Sequence, residues 1–283
     1  MGADRLRPVW DFADLDETER RFRALLDEEP EAGRAEVLTQ LARIEGLRGA
    51  FDRADELLDE AEALAGSTPI VGVRISLERG RVRRSAGDVE ESVPLFESAF
   101  AGAVAVEEWF IAADAAHMVA IAVPDRDAMV AWTERGIELA GAHEGARYWL
   151  GPLLNNLGWT YYEAGEYDLA LDAFSKALDA REQAGDEPSI QIAHYAVAKA
   201  LRALGRPQEA IAHLEPAVAW AESQGAPDGW FHEELAEAYA AVGRGAEAGE
   251  QAGLALPLLE SADPSFADNP DRVARLRSLA APT

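Results

Sequence analysis

Residues 153–180 read LLNNLGWTYYEAGEYDLALDAFSKALDA, and this stretch decides the fold. Apolar and small residues recur at three- and four-residue steps on both sides of Gly165, which predicts two helices joined by a tight turn. A glycine at the turn can take the left-handed conformation that ends the first helix. Two such helices cannot bury their apolar faces alone, so the stretch predicts further helical pairs packed against it.

The turn position recurs along the chain at spacings of 36 to 42 residues. Five residues after each turn stands a small residue, and nine residues after five of the six turns stands a larger one. A small residue lets two helices approach closely, and a large one fills the space between neighbouring pairs. The six turn positions are Gly49, Gly87, Val123, Gly165, Gly205 and Gly243.

The central stretch resembles the tetratricopeptide repeat (TPR), with Leu154 where tryptophan often stands. The resemblance implies an all-α, right-handed α-solenoid of helical hairpins. Because the spacings exceed the usual 34 residues, the region 147–224 is similar to long-repeat TPR proteins that bind peptides, such as kinesin light chains and Rap-type pheromone receptors. The residues that carry the resemblance are Leu154, Leu157, Gly158, Tyr161, Ala170, Phe174 and Ala177.

The repeat pattern and the helix start and stop signals together predict a single solenoid domain over 1–283. Residues 1–30 form an N-terminal segment and a capping helix at 15–29, and 262–283 form a linker and a C-terminal capping helix. About six hairpins fill residues 31–261, at 31–65, 68–104, 107–142, 147–184, 188–224 and 229–261.

Composition excludes several classes of function. The formal net charge is −26, which opposes binding of nucleic acid over a broad surface. No apolar run approaches the length of a membrane span, and the first residues lack a signal-peptide core. Cysteine is absent, so neither disulfides nor thiol catalysis are available. We therefore expect a cytoplasmic protein that does not bind a membrane.

In a TPR solenoid the first helix of each hairpin lines the inner face. Residues three, six and nine positions before each turn fall on one side of that helix, because these steps follow the helical period. Basic side chains recur on this side, which is notable in so acidic a chain. Guanidinium groups pair well with carboxylates and phosphates, so the pattern predicts a site for an acidic partner at Arg43, Arg81, Arg84, Lys199 and Arg202.

Aromatic and amide side chains occupy the centre of the same side. Trp and Tyr are frequent anchors of protein interfaces, and Asn can donate to and accept from a peptide backbone. The resemblance implies that Asn156 grips the backbone of a bound peptide. The predicted ligand-binding residues here are His117, Asn155, Asn156, Trp159, Tyr162 and Tyr195.

Structural roles remain open for all of these residues. Inner-face arginines often pair with glutamates of a neighbouring helix, Asn156 could bridge helices, and the aromatic rings could be packing residues. The register of residues 74–84 is a separate question, because it places Arg79 and Arg83 where the best repeat has Leu157 and Tyr161. A shift of one residue would change which arginines face inward.

Evidence for an enzyme is sparse. The five histidines form no metal-binding pattern, and no nucleotide-binding or hydrolase motif occurs, so no metal and no cofactor is predicted. Asp114 and His117 share one helical face, and a carboxylate can orient a histidine for acid–base chemistry. The alternative is a small-molecule-binding protein or an unusual enzyme with a pocket around Asp114, His117 and Trp159. Asp114 and His117 would be its weak catalytic candidates.

The main hypothesis is therefore a scaffold that binds a protein or peptide partner. It would hold an acidic or C-terminal peptide segment in its concave groove, and a small anionic ligand is also possible. Residues 1–14 contain Trp10 and Phe12 beside Asp11 and Asp14. Since this composition matches the expected ligand, the chain's own N-terminal segment is a candidate occupant of the groove.

Overall fold

A computed structural model describes residues 4–281, and the chain divides into two compact units. The first unit comprises residues 1–153 and the second 154–283. Over the described part of the chain, all regular secondary structure is helical. The predicted all-α class is therefore confirmed, whereas a single domain over the whole chain stays a prediction.

The first unit contains three helical hairpins preceded by a short helix. Helix α1 covers Leu15–Glu28. Its buried Phe22 packs into the core of the first hairpin and so closes that end of the unit. The hairpins are α2 (Glu31–Leu47) with α3 (Phe51–Leu64), α4 (Pro69–Ala86) with α5 (Val89–Ala105), and α6 (Trp109–Ala120) with α7 (Arg126–Ala142).

The second unit repeats this arrangement and ends in a capping helix. The boundary between the units falls within α8 (Leu150–Glu163). Phe266 and Leu276 in the C-terminal region cover the apolar face of the last hairpin at Leu259. The helices are α8 with α9 (Tyr167–Ala184), α10 (Glu187–Ala203) with α11 (Pro207–Ser223), α12 (Gly229–Ala241) with α13 (Gly245–Ala262), and α14 (Pro270–Ala280).

Left-handed glycines make the turns within the hairpins. Gly165 has φ of 75°, and the amide of Glu166 donates to the carbonyl of Tyr161 at 2.9 Å, which closes the end of α8. The same sign of φ is found at Gly49, Gly87, Gly205 and Gly243. Five of the six predicted turns are therefore confirmed in position and conformation.

A close contact between a glycine and a phenylalanine holds the two helices of a hairpin together. A Cβ atom placed on Gly158 would lie 2.4 Å from ring atoms of Phe174, which is fully buried. Gly80 and Phe96 form the same contact in the second hairpin, also at 2.4 Å. The equivalence of Gly80 and Gly158 settles the register of residues 74–84 as it was predicted.

This register turns two arginines away from the inner face. Arg79 forms salt bridges with Asp59 and Glu62 on α3, at 2.6 and 2.9 Å. Arg83 binds Asp55 on the same helix at 2.8 Å. These arginines therefore hold neighbouring hairpins together, while Arg81 and Arg84 remain on the inner side.

The third hairpin departs from the predicted pattern. Val123 does not form a left-handed turn, and α7 begins three residues after it instead of two. This extra residue moves the buried positions of α7 by one, so that Thr133 is buried in place of Trp132. Trp132 instead packs edge-on against Phe100 of α5, with ring centroids 5.2 Å apart. Trp132 therefore still fills space between neighbouring hairpins, although it is half-buried instead of fully buried.

The Gly158–Phe174 contact predicts the effect of one methyl group. Gly158→Ala should lower the free energy of unfolding by about 1–3 kcal/mol, because the new Cβ overlaps the ring. Gly253→Ala is the matched control, since Gly253 lies exposed in α13 with open space around it. It should raise stability by about 0.5–1 kcal/mol. Urea denaturation measures both, and equal effects of the two substitutions would contradict the packing argument.

Glu107 predicts a stabilising substitution. It is exposed, and its φ of 59° is the one positive value at a non-glycine residue in the described chain. A left-handed residue with a side chain costs about 1–2 kcal/mol, more than the flexibility of glycine costs. Glu107→Gly should therefore raise the melting temperature, whereas Glu107→Gln, which removes only the charge, should not. A lower melting temperature for Glu107→Gly would count against strain at this turn.

Candidate functional site

The first helices of the three hairpins line the inner face of the first unit. Two cavities open on it, of about 60 and 200 Å³. Their walls include residues of α2, α4 and α6 that stand three, six or nine positions before the turns, so the positions predicted to face inward share one surface. The residues at these positions that line one or both cavities are Gln40, Arg43, Gly46, Glu78, Arg81, Arg84 and Asp114.

The N-terminal segment lies on this inner face. The indole nitrogen of Trp10 donates to the amide oxygen of Gln40 at 2.9 Å. The guanidinium of Arg43 lies over the rings of Trp10 and Phe12, 5.2 and 5.4 Å from their centroids. The two rings stack on each other with centroids 4.7 Å apart. Residues 4–14 thus occupy part of the inner face, and residues 1–3 of the predicted occupant lie outside the described residues.

An ion-pair network anchors this segment. Arg74 on α4 is only 5% exposed, and it donates to both Asp4 and Glu36, the latter at 3.0 Å. Arg5 also donates to Glu36 at 3.0 Å. The carboxylates of Asp11 and Asp14 do not supply these contacts, because Asp14 caps α1 and Asp11 accepts from the amide of Ala13.

The three inner-face arginines of the first unit differ in their partners. Arg81 donates to Glu78 and Asp114, each at 2.5 Å. These two contacts raise the pKa of Arg81 despite its burial. Arg43 and Arg84 form no salt bridge with any residue in 4–281. Burial, together with the charge of nearby Arg81, lowers the pKa of Arg43.

Asp114 and His117 interact electrostatically, and the negative charge of Asp114 partly offsets the lowering of the His117 pKa by burial. Asp114 is 4% exposed and binds Arg81. The ring of His117 lies 5.3 Å from that of Trp149, and burial lowers the pKa of His117 to about 4. Its imidazole is therefore neutral at pH 7. Trp159 belongs to the other unit, and a small-molecule or catalytic site around these three residues stays a prediction.

The inner face of the second unit contains a cavity of about 610 Å³. Four predicted residues from α8 and α10 line it together: Trp159, Tyr195, Lys199 and Arg202. The remaining walls come from α12 and the C-terminal cap, with Trp230, Glu233, Glu234, Glu237, Asn269 and Arg272.

Aromatic rings form one side of this cavity. Trp159 packs edge-on against Phe174 at 5.0 Å and Tyr162 at 5.5 Å, and it lies 6.5 Å from Tyr195. The ammonium group of Lys199 lies over the Tyr195 ring at 5.4 Å. Burial raises the pKa of both tyrosines, so their hydroxyl groups remain protonated. The surface combines apolar area with hydrogen-bonding groups.

The charges in this cavity are already paired. Glu234 is 2% exposed and binds Arg202 and Lys199, the latter at 3.5 Å. Glu233 and Glu237 bind Arg272 and Arg275 of α14, Glu237 at 2.9 Å. In the second unit, the basic side chains of the inner face therefore pair with glutamates of neighbouring helices, which is the structural role that the sequence left open.

The two predicted asparagines lie on α8 and are partly exposed. The amide oxygen of Asn155 is buried and accepts no hydrogen bond within the described chain. The backbone carbonyl of Asn156 accepts a hydrogen bond from Thr160 at 3.0 Å. Contact of either amide with a peptide stays a prediction.

Several residues of the inner faces stand at positions other than three, six or nine residues before a turn. Arg74 and Trp230 stand thirteen residues before the turns at Gly87 and Gly243, which is one helical turn beyond the ninth position. Glu233 stands ten residues before its turn, as Tyr195 does before Gly205. Because the first helices extend far enough to contribute another turn, extending the helical period from the turn glycine would have found them.

Metal-binding and membrane-spanning features are both missing from residues 4–281. These residues contain no cluster of three or more His, Cys, Asp or Glu side chains arranged to hold a metal ion. None of the helices in this range combines the length and apolar character that a membrane crossing requires.

Comparison with known proteins agrees with this architecture. The tetratricopeptide repeat family model matches residues 152–183, which correspond to the hairpin of α8 and α9. No curated protein sequence matches the chain. The chain therefore contains a tetratricopeptide repeat at residues 152–183 and shares the fold of TPR-repeat structures, as its sequence predicted.

Solved structures share the fold at low sequence identity. The apo form of RapI superposes with a TM-score of 0.74 at 13% identity, covering 96% of this chain and 76% of RapI. A signal-transduction ATPase with numerous domains (STAND) and a TPR sensor, from Pyrococcus horikoshii, gives 0.75 at 17% identity. That match covers 98% of this chain but only 44% of the ATPase. Aspartyl phosphate phosphatase F from Bacillus subtilis gives 0.59 at 12% identity, covering 94% and 76%.

The lowered pKa of His117 predicts a pH dependence of stability. Between about pH 6.5 and pH 4 the unfolded chain binds a proton at this residue and the folded chain does not. Stability should therefore fall as the pH falls through this window, by about 1–2 kcal/mol between pH 7 and pH 5. His117→Gln should lose this component of the pH dependence. Urea denaturation at both pH values tests it, and identical pH dependence in both proteins would contradict it.

Proposed function

We propose that the chain is a peptide-binding scaffold and that the inner face of its second unit holds a short segment of a partner protein. The observation that carries this proposal is the N-terminal segment on the first unit's inner face. There Trp10 is held by an amide and a guanidinium, from Gln40 and Arg43. The chain thus already uses one inner face to bind a segment that contains aromatic side chains and no α-helix.

The second unit offers the same kinds of group around a cavity that residues 4–281 leave open. Trp159, Tyr195 and Trp230 supply aromatic area, and Lys199 and Arg202 supply cationic groups. Tryptophan, tyrosine and arginine contribute most of the binding energy in many protein interfaces. A volume of about 610 Å³ suits a few side chains of a bound segment.

Aromatic or other large apolar side chains would be the main anchors of this peptide. Because the cavity wall holds three glutamates and three cationic side chains, the second unit gives an acidic peptide no net positive charge to contact. The preference for an acidic or C-terminal segment instead fits Arg43 and Arg84 in the first unit. Binding to the second unit should accordingly depend only weakly on salt.

The fold supports a binding role in general terms. The TPR region of the STAND protein is described as a sensor. Short-range packing within each hairpin leaves the inner faces available for a ligand, and repeat proteins commonly bind on such concave surfaces.

Selection of peptides from a random displayed library against the full chain tests the proposal. Peptides rich in aromatic residues should be enriched, and Trp230→Ala should weaken their binding by about 30-fold, as expected for the loss of a central aromatic anchor. Leu169→Ala is the control, because it removes an exposed apolar side chain from the outer helix α9.

Two results would overturn the assignment. One is a selection without saturable binding by any enriched peptide. The other is enriched peptides that bind Trp230→Ala and Leu169→Ala equally well, which would place the contact away from the second inner face. Circular dichroism of both variants checks that each retains its helical fold.

A further inference from the structure

Two histidines of the second unit lie side by side on one helical hairpin. His194 on α10 and His213 on α11 are both half-buried, and their Nδ1 atoms are 2.9 Å apart. Neither imidazole has another hydrogen-bond or salt-bridge partner within residues 4–281. Because the two residues come from the two helices of one hairpin, helix packing brings the rings together, and no flexible loop has to be ordered for them to meet.

The distance between the two nitrogens also suits a metal ion. A neutral imidazole carries one N–H and one lone pair, so one Nδ1 atom donates to the other when only a proton lies between them. With metal–nitrogen bonds of about 2.0–2.1 Å, two nitrogens bound at a right angle lie about 2.8–3.0 Å apart, and two bound at the tetrahedral angle lie about 3.3–3.4 Å apart. The observed spacing therefore matches two adjacent ligands of a square-planar or octahedral ion. Rotation of the rings about their side-chain bonds directs both lone pairs at such an ion.

The charges near the pair favour a cation. Negative charges of Glu182 on α9 and Glu187 on α10 act on His194, and that of Glu209 on α11 acts on His213. Burial nevertheless lowers the pKa of both histidines. Both imidazoles are therefore neutral at pH 7, which is the form that binds metal ions.

We propose that His194 and His213 form a binding site for a divalent transition-metal ion, with Cu²⁺ the ion bound most tightly. Two nitrogens at a right angle suit the tetragonal geometry of Cu²⁺ and Ni²⁺, and the Irving–Williams order places Cu²⁺ above both Ni²⁺ and Zn²⁺. Residues 4–281 offer no cluster of three or more ligating side chains, so water fills the other coordination positions.

An ion at this site ties α10 to α11. It binds the folded hairpin better than the unfolded chain, where the two imidazoles are far apart, so it stabilises the folded state. Helix α10 also carries Tyr195 and Lys199, which line the cavity of the second unit. The metal site and the peptide cavity use different side chains, so either can exist without the other.

Titration of the metal-free full chain with Cu²⁺ alone tests the site, with calorimetry for affinity and electron spin echo spectroscopy for the ligands. One ion should bind per chain, and the spectrum should show two imidazole nitrogens. His194→Gln and His213→Gln should each weaken binding at least about 10-fold and leave one imidazole, since even the loss of a group that only orients a ligand costs about 10–100-fold. Cu²⁺ should raise the melting temperature of the unaltered chain and not that of either variant.

His143→Gln is the matched control. It removes a half-buried histidine of the first unit, which stacks on Trp109 with ring centroids 3.9 Å apart. This variant should keep the affinity for Cu²⁺, the two imidazole nitrogens and the rise in melting temperature. Circular dichroism of the three variants checks that each retains its helical fold.

Three results would overturn the site. The first is the lack of saturable binding of one ion per chain, and the second is a single imidazole nitrogen in the spectrum of the unaltered chain, which no folding defect of a variant can cause. The third is equal affinity of His213→Gln and His143→Gln, which would place the ion on exposed carboxylates. None of these measurements involves Trp230→Ala, so failure here is distinguishable from failure of the peptide surface.

Discussion

In the second and fourth hairpins, the contact of a phenylalanine ring with a glycine of the partner helix sets how closely the two helices pack. A ring at Phe174 or Phe96 fits only because Gly158 or Gly80 has no Cβ atom. Close helices bury small residues completely, which is why alanine fills so many of the core positions of this chain. The same packing fixes the rotation of each first helix about its axis, and that rotation decides which side chains reach the inner face.

Much of this architecture could be predicted because it depends on local signals. A glycine at a turn, a small residue five positions later and a helical period of apolar residues all lie within one hairpin, so Gly165 and Ala170 suffice to place α8 and α9. The third hairpin shows the limit of this reasoning. Its turn has no glycine, and one extra residue before α7 makes Thr133 the fully buried residue where the spacing pointed to Trp132.

The candidate sites were less predictable, because burial and pairing depend on neighbours that are distant in sequence. Their positions relative to the turns correctly grouped Trp159, Lys199 and Arg202 on one cavity. These positions did not indicate that Glu234 of the next hairpin forms salt bridges with both cations. Arg43 and Arg84 look the same as Arg81 in the sequence pattern. Only the structure distinguishes the arginine that already has two carboxylates from the two that have none.

The pairing of Asp4 with Arg74 has a consequence for the order of folding. The two residues are 70 positions apart, so a long loop must close before their contact can form. During synthesis Asp4 emerges well before its partner, and Trp10 emerges well before Gln40. The ion pair that anchors the N-terminal segment is therefore missing from the growing chain until α4 has been made, and local hairpin packing precedes it.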